Sequence, residues 1–327
     1  MWSIDARGLG KRFGELAAVD EVSLQVARGE NFALLGPNGA GKSTLIRLLT
    51  TLLLPTSGTA LVEGHDVRRD PDAVRRAIGV VPQAATSDPR LTAAENLDFS
   101  AKLHGVGHGE RRRLVAELLE WVDLTSWRDK LVGTFSGGMR RRLEIARSLV
   151  HRPLILFLDE PTTGLDPASR LALWEMLRRM KAESDLTLFL TTHYMEEADQ
   201  MCERVAIFDH GKIVALGTAA SLKERLPAAE TIEVSFAEAP EPFLALLQRL
   251  PAVESVQVLG GACRIQSHDR GATLAALVRA AGRKRVAISS LALRGNTLED
   301  VFIHFTGREL RDAAEKLRLD KRVLYES

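Results

Sequence analysis

The feature that most constrains the fold is a glycine-rich segment of nine residues. Residues 36–44 read Gly-Pro-Asn-Gly-Ala-Gly-Lys-Ser-Thr and directly follow the apolar run Asn31–Leu35. In the pattern G-x-x-x-x-G-K-[ST], backbone N–H groups curve around a phosphate, and a helix starts with its positive dipole end at the same place. Lys42 can reach the β- and γ-phosphates, and the Ser43 hydroxyl can bind Mg²⁺. An ordinary glycine-rich turn would not need a lysine and a serine in this register, so the segment predicts a nucleoside triphosphate site in an α/β fold.

A second feature is an apolar strand that ends in two carboxylates. Residues 154–158 are apolar and run into Asp159 and Glu160. Beside a phosphate loop of this kind, Asp159 would hold Mg²⁺ and Glu160 would polarise the attacking water. Glu196 and Glu197 are alternative bases, but they follow the start of a predicted helix. We therefore expect them to be solvated carboxylates of its first turn.

A third feature is a second helix start that bears glycines. Residues 135–142 read Phe-Ser-Gly-Gly-Met-Arg-Arg-Arg and lie at the end of a helical stretch. Ser136 can cap the helix, and Gly137 and Gly138 leave its first N–H groups free to bind an anion. One phosphate loop already surrounds its own nucleotide, so a second set of donors needs another phosphate. The segment therefore predicts a dimer in which each chain presents this helix to the nucleotide held by the other.

Composition and charge narrow the class of protein. Of the 327 residues, 44 are Lys or Arg and 43 are Asp or Glu, so a basic excess for nucleic acid binding is missing, and we expect no nucleic acid partner. The triplets 111–113 and 140–142 are all arginine without interleaved aromatics, and we expect solvated helix faces there. We expect neither a secretory signal nor a membrane-spanning segment, so work at a membrane would need a partner.

The pattern of apolar runs divides the chain into parts. Residues 1–226 alternate short strands with amphipathic helices, which predicts a parallel sheet covered on both faces. Within this part, residues from about 91 to 150 are wholly helical and form a predicted subdomain. Residues 227–307 follow the order β-α-β-β-α-β, which predicts an α+β accessory domain of ferredoxin-like type whose last helix is capped by Thr297. Residues 308–327 form a charged tail.

Together these motifs resemble the ATP-binding subunit of an ABC transporter. The resemblance covers about residues 1–226, and the family's motifs occur in the family's order. They are Walker A (34–44), the Q-loop (81–83), the signature (135–139), Walker B (155–161), the D-loop (164–166) and the switch histidine (191–193). The signature departs from Leu-Ser-Gly-Gly-Gln at Phe135 and at Met139, whose side chain cannot make the polar contacts of glutamine.

The resemblance implies roles for individual residues toward ATP and Mg²⁺. Catalysis would involve Glu160, Gln83 beside the metal or the attacking water, and His193 at the γ-phosphate. Metal ligands would be Ser43, Gln83 and Asp159. The residues implied in nucleotide binding, including those that reach the partner's nucleotide and the D-loop aspartate that contacts the opposing subunit, are Phe13 (against adenine), Gly36, Pro37, Asn38, Gly39, Ala40, Gly41, Lys42, Ser43, Thr44, Ser136, Gly137, Gly138 and Asp166.

The sequences of residues 135–147, 160–167 and 192–199 resemble those of daunorubicin-resistance-type drug exporters and of lipo-oligosaccharide exporters. This resemblance implies an ATP-hydrolysing subunit that energises export of a drug-like or lipid-like compound. It also implies a head-to-tail homodimer bound to a separately encoded permease at the cytoplasmic face of the membrane. The alternative is a soluble ABC ATPase with a regulatory role that is not coupled to transport. A neighbouring gene for a membrane protein would favour export.

Overall fold

A computed structural model describes residues 1–226, 230–237, 241–259 and 262–307 of the chain. The described residues form two compact units, Met1–Ala219 and Ala220–Gly307. The domain boundary expected at residue 226 stays a prediction. The sequence also predicts a turn at Gly260 and Gly261 between two strands of the accessory domain. This turn and the expected tail at 308–327 lie outside the described residues.

Strands of the first unit form two sheets. They are β1 (Trp2–Phe13), β2 (Leu16–Ala27), β3 (Asn31–Leu35), β4 (Ser57–Val62), β5 (His65–Asp66), β6 (Ile78–Val81), β7 (Ile155–Asp159), β8 (Thr187–Thr192), β9 (Arg204–Asp209) and β10 (Lys212–Gly217). The helices that connect these strands, with α8 at the division between the units, are α1 (Lys42–Leu49), α2 (Pro71–Ala77), α3 (Ala93–Leu103), α4 (His108–Trp121), α5 (Gly137–Ser148), α6 (Pro167–Ala182), α7 (Met195–Met201) and α8 (Ala219–Glu224).

The larger sheet carries the core and confirms the predicted parallel arrangement. Its strand order is β10-β9-β3-β8-β7-β6, and only β10 is antiparallel to its neighbour. Phe32 and Phe157 pack on either side of Phe189, with ring centroids 5.4 Å and 5.3 Å from it. Because β3, β6, β7 and β8 run in one direction, the loops that follow them meet at one edge of the sheet, where ligands bind in folds of this type.

The smaller sheet was not predicted from the sequence. It is antiparallel, with the order β2-β1-β4-β5. Along β2 the side chains of Val22, Leu24 and Val26 are buried, while those of Ser23 and Gln25 are exposed. Such half-buried strands read as alternating polar and apolar residues rather than as apolar runs.

The stretch expected to be helical, residues 91–150, contains α3, α4 and α5, and two short 3₁₀ turns at Thr125–Trp127 and Val132–Thr134. Thr92 and Glu95 form a capping box at the start of α3, which satisfies two backbone donors that would otherwise lack partners.

The second unit contains one antiparallel sheet and its helices. Its elements are β11 (Glu230–Phe236), α9 (Glu241–Leu247), β12 (Val253–Leu259), β13 (Ala262–Ser267), α10 (Arg270–Lys284), β14 (Ile288–Arg294) and α11 (Leu298–Thr306). The strand order β12-β13-β11-β14 is that of the predicted ferredoxin-like unit. Thr297 caps the last helix by accepting a hydrogen bond from the Asp300 N–H, as predicted.

Candidate active site

The phosphate loop connects β3 to α1 and encloses its own lysine. Lys42 is 4% exposed, and its Nζ donates hydrogen bonds to the carbonyl oxygens of Gly36 (2.6 Å) and Pro37 (3.0 Å). Burial lowers the pKa of Lys42, although the neighbouring carboxylate of Glu160 favours the charged form. Gly41 has φ of 107°, and a Cβ atom there would lie 2.1 Å from the Ala18 carbonyl oxygen, so only glycine fits. The loop therefore holds a buried cation at the sheet edge.

Glu160 is the point on which the surrounding side chains converge. Its Oε1 lies 3.3 Å from Lys42 Nζ, and its Oε2 accepts hydrogen bonds from Gln83 Nε2 (3.3 Å) and Thr163 Oγ1 (3.1 Å). His193 Nδ1 lies 3.5 Å from the same Oε2 atom. Burial alone would raise the pKa of Glu160, but His193 and Lys42 outweigh burial and lower it to about 2. The side chain is therefore an ionised carboxylate at neutral pH.

The backbone at Glu160 is strained. Its φ of 47° lies in the left-handed region, which non-glycine residues adopt at a cost. The Glu160 N–H donates to Thr191 Oγ1 at 3.0 Å and lies 3.2 Å from the Thr191 carbonyl oxygen. Neighbouring strand β8 thus holds the strained residue in place. Strained backbone conformations of this kind are concentrated at functional sites.

Oxygen atoms suited to a divalent cation lie beside this carboxylate. Asp159 Oδ1 accepts hydrogen bonds from Ser43 Oγ (3.2 Å) and Thr191 Oγ1 (2.7 Å). The described residues contain no group of three or more His, Cys, Asp or Glu side chains placed to hold a metal. One carboxylate and one hydroxyl still fit Mg²⁺, which usually takes one or two carboxylates together with substrate phosphates and water.

The glycine-bearing helix α5 packs against the start of α6. Ser136 caps α5 by accepting a hydrogen bond from the Met139 N–H at 3.2 Å. A Cβ atom on Gly138 would lie 2.7 Å from Ser169 Oγ, so the close approach of the two helices requires glycine. Asp166 caps α6 by accepting hydrogen bonds from the N–H (2.9 Å) and Oγ (2.6 Å) of Ser169.

Phe13 ends β1 at the turn into β2, the strand that contains Ala18 beside the phosphate loop. Its side chain is 48% exposed, and Lys11 Nζ lies 5.1 Å from its ring centroid. An exposed aromatic face with a cation beside it can stack on a nucleobase.

The expectation that the side chains of Glu197 and Arg141 are solvated is wrong. Glu197 is 5% exposed, because its carboxylate accepts hydrogen bonds from Thr162 Oγ1 (2.6 Å) and Thr192 Oγ1 (3.0 Å), and burial raises its pKa. Arg141 is 7% exposed and donates to three backbone carbonyl groups around the site. A signal for Arg141 was available, since it lies three residues after Gly138 and four before Ile145 on the buried side of α5.

Comparison with known proteins places these features in a family. Residues 19–163 match the family model described as ABC transporter, and residues 217–306 match the model of the ATP-binding protein DrrA1-3-like C-terminal domain. The daunorubicin resistance ATP-binding protein DrrA3 of Streptomyces coeruleorubidus is 41% identical over 95% of this chain and 99% of that protein.

A second relative is the Nod factor export ATP-binding protein I of Rhizobium sp. (strain N33), which is 40% identical over 94% of this chain and 98% of that protein. A similar solved structure is a dimeric ATP-binding cassette in a post-hydrolysis state bound to ADP and Pi. It has a TM-score of 0.60 and 28% identity, and the match covers 66% of this chain and 98% of that chain.

The expected family and fold are thereby confirmed, and with them the expectation of a nucleotide-binding ATP hydrolase. The two family models match residues 19–163 and 217–306, and the relative DrrA3 matches over 95% of this chain. The chain belongs to the ABC transporter ATP-binding proteins of the drug-resistance and export type.

Proposed function

We propose that this chain hydrolyses ATP to energise export of a drug-like or lipid-like compound through a separately encoded permease. The observation that carries the proposal is the convergence of Lys42, Gln83 and His193 on the ionised carboxylate of Glu160 at the end of β7. The names of the two relatives, one for daunorubicin resistance and one for Nod factor export, support a cargo of this kind.

Within the site, the phosphate-binding role falls to the backbone of residues 36–44 and to Lys42. The ATP phosphate oxygens compete with the Gly36 and Pro37 carbonyls for the Lys42 ammonium. Glu160 accepts a proton from the attacking water and so acts as general base. Gln83 and His193 orient the water and the γ-phosphate, since both already lie within 3.5 Å of Glu160 Oε2.

We propose Ser43, Gln83 and Asp159 as the residues that hold Mg²⁺ with the nucleotide. Support comes from the 3.2 Å distance between Ser43 Oγ and Asp159 Oδ1. When bound, the ion neutralises charge on the phosphate oxygens. The exposed ring of Phe13 stacks on the adenine.

We propose that two copies assemble head to tail, so that Ser136, Gly137 and Gly138 of one chain bind the ATP of the other. The start of α5 offers N–H groups to an anion, and Asp166 in the neighbouring loop contacts the opposing subunit. The dimeric solved relative supports such a pair.

The permease is the proposed second partner. No helix in the described part of the chain is long and apolar enough to cross a membrane. The side chains of Leu52, Phe99 and Leu103 are 64%, 53% and 70% exposed. Leu52 and Leu103 line a cavity of about 350 Å³ together with Thr86 and Arg147. Exposed apolar side chains around a cleft suit contact with another protein, which supports peripheral attachment at the cytoplasmic face of the membrane.

The test is ATP hydrolysis measured against protein concentration, followed by affinity purification from the membrane fraction of the source cells to identify a co-purifying permease. Specific activity should rise with concentration until the dimer saturates, and Ser136→Arg should keep the protein monomeric with ATP present. A monomer whose specific activity is independent of concentration would contradict the shared site. Reconstituted vesicles that accumulate no daunorubicin-like or lipid-like cargo with ATP would contradict export.

A further inference from the structure

A buried arginine connects α5 to the two loops that carry the proposed catalytic side chains. Arg141 lies in the second turn of α5 and is 7% exposed. Its Nη1 donates to the Pro82 carbonyl oxygen at 2.5 Å, its Nη2 to that of Asp159 at 2.8 Å, and its Nε to that of Pro161 at 2.9 Å. One guanidinium group therefore fixes three carbonyl groups from two separate loops.

These three carbonyl groups flank the catalytic side chains directly. One belongs to the residue before Gln83, and the other two belong to the residues on either side of Glu160. Glu160 has φ of 47°, a backbone conformation that needs support from its surroundings. Arg141 supplies that support on both sides of the strained residue and ties the strained residue to the Gln83 loop.

The geometry requires arginine in particular. A guanidinium group is planar and presents its N–H donors in a rigid fork, whereas a lysine ammonium is a single point charge on a flexible stem. Burial lowers the pKa of Arg141 to about 10, against the opposing influence of Glu144 and Asp159, so the group stays charged at neutral pH. A buried charge of this kind is retained only where hydrogen bonds satisfy it.

A second contact ties the same helix to the loop that follows Gln83. Glu144, one turn after Arg141, accepts hydrogen bonds from the N–H groups of Thr86 (2.9 Å) and Ser87 (2.6 Å) and from Thr86 Oγ1 (2.7 Å). Two adjacent turns of α5 therefore hold the start and the middle of the Gln83 loop. A shift of α5 along its axis would move Gln83 and the backbone at Glu160 together.

We propose that Arg141 is a positioning residue for ATP hydrolysis, which sets Gln83 and Glu160 in their working arrangement and makes that arrangement depend on the position of α5. The inference rests on the proposed function, in which the start of α5 binds the partner's ATP. ATP held by one subunit thereby controls, through α5 and Arg141 of the other subunit, whether that other subunit's own site can hydrolyse its nucleotide.

The test compares Arg141→Met with Arg113→Met, a matched change at an exposed arginine of α4. We expect Arg141→Met to lower kcat roughly 10- to 100-fold, because small displacements of catalytic groups have effects of that size. ATP affinity, measured by titration with a fluorescent ATP analogue, should change by less than about threefold. Arg113→Met should match the wild type in both quantities, and the thermal midpoint reports whether each variant is folded.

If Arg141→Met fails to fold, Arg141→Lys tests whether Arg141 positions Gln83 and Glu160 for ATP hydrolysis. It keeps the charge but loses the planar fork, so we expect a folded protein with kcat about tenfold lower and faster amide hydrogen exchange at residues 83–87 and 159–163. Wild-type kcat with wild-type exchange in Arg141→Lys would overturn the inference, as would an equal loss of kcat and ATP affinity. Failure of the wild-type chain to hydrolyse ATP would instead refute the proposed function, and the exchange rates would still report on the backbone contacts.

Discussion

At the scale of single residues, the chemistry centres on how strongly Glu160 can hold a proton. With Lys42 and His193 beside it, the pKa of Glu160 is lowered to about 2, which makes its carboxylate a weak base. Phosphate oxygens that attract Lys42 away from Glu160 would remove part of that lowering influence. ATP binding would then raise the pKa of Glu160 and make it a better acceptor for the proton of the attacking water.

Replacing Glu160 with glutamine should separate binding from hydrolysis. We expect Glu160→Gln to lower kcat by about 100-fold or more, because the water loses its base, and to keep ATP affinity within about threefold. The measurements are steady-state phosphate release and nucleotide titration. Turnover close to that of the wild type would remove Glu160 from the role of base.

The lowered pKa of Glu160 also predicts a pH dependence of stability. A carboxylate with a folded-state pKa of about 2, against an ordinary value of 4.5, stabilises the fold fully above pH 4.5 and loses that contribution as the pH falls toward 2. The difference in melting temperature, wild type minus Glu160→Gln, should therefore decrease as the pH falls from 5 to 3. A difference that stays constant over this range would show that the ionised form is not favoured in the folded protein.

Replacing Lys42 with alanine should weaken ATP binding. The variant loses a charged donor to the phosphates, and charge-assisted hydrogen bonds of about 1.5–3 kcal/mol correspond to roughly 10- to 100-fold in affinity. Lys212→Ala is the control, since Lys212 forms an exposed ion pair with Asp20. Equal ATP affinities for the two variants would contradict the assignment.

At the scale of elements, strands of the first unit that are buried on both faces were predicted from the sequence more accurately than its half-exposed strands. Strands β3 and β7 are buried on both faces and read as apolar runs, so their positions were predicted to within a residue. The half-exposed strands β1 and β2 carry charged residues between apolar ones and were missed. Arg141 was misjudged because arginine is usually solvated, and its backbone partners lie 18 to 59 residues away in sequence.

The contact between α5 and the Gln83 loop predicts that replacing Glu144 destabilises the protein far more than the same replacement at Glu117. Glu144 is 4% exposed and pairs with Arg147, whereas Glu117 pairs with Arg152 at 3.5 Å on the surface. We expect Glu144→Gln to lower the free energy of unfolding by about 2–4 kcal/mol, because the NH₂ group that replaces one carboxylate oxygen cannot accept the hydrogen bonds from Thr86 Oγ1 and Arg147 Nη1. Glu117→Gln should change it by less than about 0.5 kcal/mol, since exposed ion pairs contribute little.

Urea unfolding of the two variants measures this difference directly. Equal free energies of unfolding would show that the contact between α5 and the Gln83 loop adds nothing to the stability of the protein. The wild type and both variants should give similar urea slopes if the amount of surface exposed on unfolding is unchanged.

At the scale of the whole molecule, the proposed site belongs to one of the two compact units. Residues from Phe13 to His193 that are proposed to bind or cleave ATP all lie within Met1–Ala219. The second unit has a separate core, in which Ile232, Val234 and Ile265 are fully buried. Each unit therefore has the apolar interior that independent folding requires.

Deleting residues 228–327 should leave ATP binding intact. We expect the truncated chain to bind ATP within about threefold of the full chain, because no proposed nucleotide-binding residue is removed. The same truncation carrying Lys42→Ala is the control for specific binding. A folded truncation without ATP affinity would show that the C-terminal part contributes to the site.

One contact described above links the two segments proposed to meet the partner subunit. Ser169 donates two hydrogen bonds to the carboxylate of Asp166, and the same Ser169 side chain leaves room only for glycine at position 138. A larger residue without a hydroxyl at position 169 would push on Gly138 and would also remove the Oγ donor to Asp166, leaving only the backbone N–H. Substitutions at positions 138 and 169 are therefore coupled. We expect related sequences with a different residue at one position to carry a compensating substitution at the other.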